Sequence, residues 1–155
     1  MDDRLFRDAM GKFATGVTVV ATEVDGKVHG MTANAFMSVS LNPKLVVVSI
    51  AEKAQMLEKI KQSQSFSINI LSAEQQEESM IFAKQIKDPR EVVFDRLGGI
   101  PVLPGALAQV VCEVSAEHVE GDHTLFIGRV KEIKLDETNQ EPLIYFSGKY
   151  RSLAE

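Results

Sequence analysis

Apolar residues change their spacing several times along this chain, and each change marks an expected element. Leu5, Phe6, Ala9, Met10 and Phe13 recur at helical intervals, so residues 4 to 14 are expected to form an amphipathic helix, stopped at Thr15-Gly16 and covering one end of a sheet. Val17 to Val24 is rich in β-branched residues, and Asp25-Gly26 is a hairpin signal leading into a second strand from Lys27 to Ala33. Beyond a turn at Leu41-Asn42-Pro43, Leu45 to Ile50 is almost continuously apolar, the pattern of a strand covered on both faces. Met56, Leu57 and Ile60 mark a short helix, and Phe66, Ile68 and Ile70 alternate as a strand. Ser72 with Gln75 forms a capping-box pattern that opens a helix running to about Ala83. Residues 84 to 104, punctuated by Pro89, Gly98, Gly99, Pro101 and Pro104, read as an ordered excursion without regular elements. Ala106 to His118 and Thr124 to Leu135 then flank Glu120-Gly121-Asp122 as a long hairpin, and Leu143 to Ser147 supplies a last strand. Six or so strands joined mainly by hairpins, with no βαβ alternation, predict a mainly β fold: an antiparallel barrel with peripheral helices.

Composition narrows the function. At 155 residues, 45% hydrophobic and 25% charged, the chain is expected to form one domain spanning 1–155. No apolar run approaches the roughly 20 residues needed to cross a bilayer, and the acidic opening MDDRLFRDAM lacks the basic-then-apolar order of a secretory signal. A cytoplasmic protein without membrane partners is the expectation. A net charge of -5 with dispersed basic residues argues against nucleic acid. The single cysteine, Cys112 in VVCEV, excludes an internal disulfide and reads as a packed thiol. His29, His118 and His123 have no metal-ligand spacing, so no metal is expected. There is no G-x-G-x-x-G and no Walker A sequence, so a nicotinamide cofactor would not sit in a Rossmann crevice.

The segment GMTANAFMSVSLNPKLVVVSI, Gly30 to Ile50, places small and hydroxylated residues where a core would want bulk. Thr32, Ala33, Asn34, Ala35, Ser38 and Ser40 offer backbone groups and short polar side chains suited to a flat heterocycle; a Ser/Thr-rich loop between strands is the plain alternative. After Ile50, the run Ala51-Glu52-Lys53-Ala54 passes into a helix. Free N–H groups there, with Lys53 beside them, would suit a phosphate; a solvated lysine in a turn is the alternative. Phe82-Ala83 closes the helix that Ser72 opens, where a phenylalanine is ordinarily core. His123 follows the turn Gly121-Asp122, where a histidine is ordinarily structural or solvated but could face a ligand mouth; Tyr150 lies in SGKY, where it could pack at a pocket rim or serve as a dimer or barrel plug.

Three separated motifs in this order, FRDAMGKFATGVTVVAT with GMTANAFMSVSLNPKLVVVSIAEKAQM, then GDHTLFIGRV, then YFSGKY, resemble the flavin reductase family with the FMN-binding split-barrel fold, an antiparallel Greek-key barrel. More narrowly, they resemble the reductase components of two-component phenol and hydroxyphenylacetate monooxygenases. The resemblance implies an NAD(P)H:flavin oxidoreductase that reduces FAD or FMN by hydride transfer to N5 and supplies reduced flavin to an aromatic monooxygenase. It further implies that flavin is held by Thr32 to Ala35, Ser38, Val39 and Ser40, Ser49, Ile50 and Ala51, and Lys53 and Ala54. Phe82 and Ala83 would lie near the flavin edge or its nucleotide part, His123 on the nicotinamide side, and Tyr150 at the rim; the contacts of Lys84 to Arg90 are left open by a segment that varies among relatives. Members of this family pair as homodimers in which both chains wall each flavin. No side chain need act as acid or base, since the cofactors carry the electronics and the protein positions them. The sequence has no evident clamp for a 2′-phosphate, which favours NADH over NADPH. Other readings are a noncatalytic flavin-binding module, a pyridoxamine-phosphate-oxidase-like flavoprotein and a plain β-barrel adaptor.

Overall fold

The computed structural model describes residues 1–138 and 140–153. In chain order the elements are α1 (Asp3–Met10), β1 (Thr15–Gly16), β2 (Thr18–Val24), β3 (Lys27–Ala33), β4 (Phe36–Leu41), β5 (Lys44–Ala51), α2 (Gln55–Ser63), β6 (Ser65–Ile70), a single helical turn Ala73–Gln75 continuing into α3 (Gln76–Phe82), β7 (Asp95–Leu97), β8 (Ile100–Val102), β9 (Ala108–Glu120), β10 (His123–Leu135), β11 (Ile144–Phe146) and β12 (Lys149–Arg151).

One antiparallel sheet of seven strands, in the order β3-β2-β6-β9-β10-β5-β4, carries the fold. The β2–β3 hairpin turns at Asp25 and Gly26, both with positive φ (52° and 76°), as the Asp-Gly signal requires. The β9–β10 ribbon, 13 residues in each strand, bends at register shifts beside Gly128 and Val130, and such bulges let a long ribbon curl round a core. Gly128 is needed at that bend: a Cβ there would lie 2.7 Å from the Phe66 ring and 2.9 Å from Cys112 Cβ.

The barrel interior is filled by Val20, Val46, Val48, Ile50, Phe66, Ile68, Cys112 and Phe126. Met56, Leu57 and Ile60 of α2 pack against this cluster, and burying three such side chains contributes about 5–9 kcal/mol before entropic costs. A second cluster, built on Val17, Val19, Leu71, Leu103 and Leu143, covers the other face of β2.

Four expectations need correction. The first helix is Asp3–Met10, and none of its residues is buried; Leu5, Phe6 and Met10 are all more than half exposed, so among the described residues it covers no sheet. The β5 strand is not enclosed on both faces: Val46, Val48 and Ile50 enter the core, whereas Val47 and Ser49 line an open groove. The excursion 84–104 contains a small hairpin, β7 with β8, turned by Gly98 and Gly99 at φ 57° and 81°. Beyond the six or so strands expected, β4 adds an edge to the main sheet, and β1 and β12 join the expected last strand, β11, in a separate sheet of three. No helix among the described residues is long and apolar enough to cross a membrane.

Candidate functional site

The two edges of the main sheet are β3 and β4, and only Asn34 and Ala35 separate them in sequence. Edges joined by so short a link must face each other, which forces the sheet to curl. Among the described residues no ladder joins β3 to β4, so the barrel is split there and each edge strand turns unpaired backbone groups toward the gap. The link is pinned from below. Ser49 N–H donates to the Ala35 carbonyl at 3.0 Å, Phe36 N–H to the Asn34 carbonyl at 3.0 Å, and the Thr18 hydroxyl to the Ala33 carbonyl at 2.7 Å. Asn34 and Ala35 remain exposed, and among the described residues the Asn34 amide has no side-chain hydrogen bond.

Three cavities share walls at this split. One of about 180 Å³ is lined by Val17, Thr32, Ala33, Asn34, Ala83, Gln85, Tyr145 and Tyr150. Another of about 560 Å³ runs along Val28 to Thr32, between the start of α2 at Ala54 to Met56 and the end of α3 at Ile81 to Lys84; Thr32 and Ala83 belong to both. The third, an apolar groove of about 900 Å³, shares Asn34 and continues through Ala35, Met37, Val39, Val47, Ser49, Leu125 and Ile127. Together they span the 300–1,000 Å³ range common for ligand sites, with polar groups confined to a few positions.

A short hydrogen-bonded chain holds the small cavity in shape. The Thr32 hydroxyl donates to the Ser79 carbonyl at 2.5 Å, and Ser79 Oγ lies 2.7 Å from the Tyr150 hydroxyl. Ser79 is fully buried, so these bonds tie α3 to β3 on one side and to β12 on the other. The Tyr150 ring also packs edge-on against Tyr145 at 5.2 Å between centroids. Phe82 sits over Gly30, where a Cβ would come within 2.7 Å of its ring, and meets Phe94 edge-on at 5.7 Å. Its ring therefore both anchors α3 and lines the 560 Å³ cavity.

The start of α2 is uncapped. Its N-cap residue is Ala54, which has no side chain able to accept from the first-turn amides, and Lys53 precedes it. The loop before it is tied to the long hairpin by the Glu52 N–H, which donates to the Asp122 carbonyl at 2.9 Å, and His123 pairs in register with Ala51. The His123 Nδ1 lies 2.8 Å from the Asp122 carboxylate. That hydrogen bond, with the charges of His123 and Lys53 behind it, holds the Asp122 carboxyl below the usual carboxylate range.

The structure thus brings Thr32, Ala33, Asn34, Ala35, Val39, Ser49, Ala54, Phe82, Ala83 and Tyr150 onto the walls of these cavities. Ser38, Ser40, Ile50, Ala51, Lys53 and His123 are not among those lining residues. Ile50 is wholly buried in the core, so only its backbone is available to a ligand. Val39 is the bulged residue of β4, with Ser38 and Ser40 on either side pairing with Val46 and Leu45. Sequence reasoning missed Ser79, Tyr145 and Gln85. Tyr145 had a usable signal, because it faces Tyr150 across the tight turn Ser147-Gly148.

Comparison with known proteins agrees with this architecture. The model of the family described as flavin reductase like domain matches residues 10–154. An NADH-dependent flavin reductase from a Rhodococcus species is 46% identical over 150 residues, covering 95% of this chain and 84% of its own. The reductase component of a 4-hydroxyphenylacetate 3-monooxygenase from Thermus thermophilus is 38% identical, covering 96% and 95%. The solved structure of the flavin reductase PheA2 in its native state superposes with a TM-score of 0.97 at 64% identity and covers all of both chains. With a match along nearly its whole length and a fold shared throughout, this chain belongs to the flavin reductase like domain family.

Proposed function

We propose that this protein is an NADH:flavin oxidoreductase that reduces FAD or FMN at the split between β3 and β4 and supplies the reduced flavin to a separate monooxygenase, one acting on an aromatic substrate. The observation that carries this reading is the Asn34-Ala35 link, where the small cavity and the groove share Asn34, the 560 Å³ cavity adjoins through Thr32 and Ala83, and backbone edges stand unpaired beside small side chains. The donor set fits a flavin nucleotide: strand-edge amides and the Asn34 amide for ring carbonyls, and the uncapped amides of Gln55 and Met56 with Lys53 for a phosphate. Likeness to reductases named as NADH-dependent supports NADH as the donor.

Bound flavin supplies the redox chemistry, accepting a hydride at N5 from C4 of nicotinamide. The residues of this chain orient and enclose. Thr32, Ala33 and Ala83 wall the small cavity and fix its width; Ser38, Val39, Ser40, Ser49, Ile50 and Ala51 offer backbone groups along the strands that flank the link. The Tyr150–Ser79–Thr32 chain keeps Phe82 and Ala83 against the same wall. His123, partly exposed and oriented by Asp122, stands ready on the nicotinamide side. A hydride moves as one unit, so no side chain is assigned as general acid or base.

The chain acts as one domain over residues 1–155 and as a homodimer. The groove formed by Val47, Leu125 and Ile127 opens beside the exposed Phe13 and Met37, an apolar surface that a second copy would cover. A cytoplasmic location is supported by a cysteine content of one, which leaves no internal disulfide to form, and by the demand for NADH. The test is NADH consumption by purified protein with and without added flavin. Turnover only with free flavin is the expected result. Turnover of an amine substrate without NADH would favour an oxidase, and flavin binding without any bleaching by NADH would favour a noncatalytic module.

A further inference from the structure

The 560 Å³ cavity beside the start of α2 contains one titratable ring that the reading above leaves unused. His29, on β3, is half-buried and lines it together with Lys84 at the end of α3. The charged groups acting on His29 are Lys59, from α2, and Lys27, from its own strand; across the ladder it faces the uncharged Thr22 of β2. Among the described residues no carboxylate lines this cavity. The result is a cation-rich recess next to amides that lack a cap.

We propose that His29 takes up a proton as the diphosphate of a flavin nucleotide enters this cavity, so that flavin affinity depends on pH through this residue. The inference rests on the flavin reading given above. Without ligand, burial first, then Lys59 and Lys27, hold His29 below its ordinary pKa, so the ring is neutral near pH 7. A diphosphate deepens the burial but offsets the two lysines and gives the imidazolium a charged acceptor, and these two effects together raise the pKa in the complex. The sign follows from linkage. Binding draws in a proton, so affinity is greatest below the free-state pKa, falls as pH rises between the free and bound values, and levels off above the bound value. His29 is a binding residue in this scheme and takes no part in hydride transfer.

FAD is the appropriate probe, because each phosphorus of its diphosphate, with one ester and one anhydride link, keeps a single strongly acidic oxygen and a fixed charge, whereas the FMN monoester itself titrates at about pH 6 and would oppose the effect. Affinity of the full-length protein for FAD, followed by flavin fluorescence between about pH 5.5 and 8.5, is expected to fall by up to about tenfold per pH unit within the window. His29→Gln is expected to flatten that dependence, which separates it from His118 and His123, and riboflavin, without phosphate, to show none. Calorimetry of wild-type protein in two buffers of different ionisation enthalpy needs no variant: it is expected to record uptake of up to about one proton per FAD and none with riboflavin. FAD affinity that is flat with pH in wild type, a slope retained in His29→Gln, or binding without proton uptake would overturn the proposal while leaving the flavin reading intact. Failure of any flavin to saturate the protein would remove that reading, and this inference with it.

Discussion

Replacing Tyr150 by phenylalanine removes one oxygen and leaves the ring, so it isolates what the hydroxyl does. Ser79 Oγ is 2.7 Å away on a fully buried residue. A buried hydroxyl deprived of its partner costs about 1–3 kcal/mol, and a serine inside a helix can recover part of this by turning to the carbonyl four residues earlier. The lower half of the range, about 1–2 kcal/mol, is therefore expected for Tyr150→Phe. Ser79→Ala removes the other partner and should cost a similar amount. In the double variant neither hydroxyl is stranded, so the combined loss should fall short of the sum by about 0.5–1.5 kcal/mol. For a chain of this size each kcal/mol lowers the thermal midpoint by roughly 2–4 °C, with protein concentration held constant because the proposed subunit association would add to apparent stability. Flavin affinity should change little, since the ring still packs on Tyr145 and still walls the cavity. An unchanged midpoint with a collapse of flavin binding would refute this reasoning, because the hydroxyl would then address the ligand and not the fold.

Gly128→Ala places a Cβ against Phe66 and Cys112, both fully buried, and should cost about 1–3 kcal/mol through overpacking; a denaturant midpoint equal to wild type would contradict it. Burial pushes the Cys112 thiol up to about 12, so at pH 8 roughly one molecule in ten thousand carries thiolate, and a thiol reagent should label the protein only after unfolding. Labelling of native protein at the rate of a free thiol would mean the core opens at β9. Met37 is 58% exposed on the apolar groove, so Met37→Glu should leave the monomer folded while shifting sedimentation from the proposed dimer toward monomer; a monomeric wild type would remove the proposed dimer, and an unaltered dimer would place its interface elsewhere.

Much of this fold could be read directly from residue order, and what could not has identifiable causes. The β2–β3 hairpin was legible because Asp25-Gly26 is local turn chemistry, and α2 because Met56, Leu57 and Ile60 all face the barrel. The β4 strand was hidden: its large residues Met37 and Val39 point into the open groove and its small ones alternate with them, so the pattern does not read as core against solvent. In α1 the amphipathic period was real, but its apolar face is left exposed by the described residues, and periodicity alone cannot say what a face meets. The strands β7 and β8 span only three residues each and sit among Gly and Pro. At the site, Asn34 and Ala35 stood out as small residues where bulk was expected. Ser79 did not, since its role depends on Tyr150, 71 residues away in sequence, and no local spacing encodes that pairing.

The most direct measurement concerns Asn34, which is exposed on the link between the sheet edges and lies on the walls of both the small cavity and the groove. Asn34→Leu should be compared with wild type in two readouts side by side, flavin affinity by fluorescence titration and thermal unfolding. A ring seated against this amide predicts weaker flavin binding, by roughly five- to twentyfold for one lost hydrogen bond and one misplaced apolar branch, with unfolding altered by no more than about 0.5 kcal/mol, as befits a surface position. Flavin affinity equal to wild type, or a loss of binding matched by an equal loss of stability, would contradict a flavin seat at the split of this barrel.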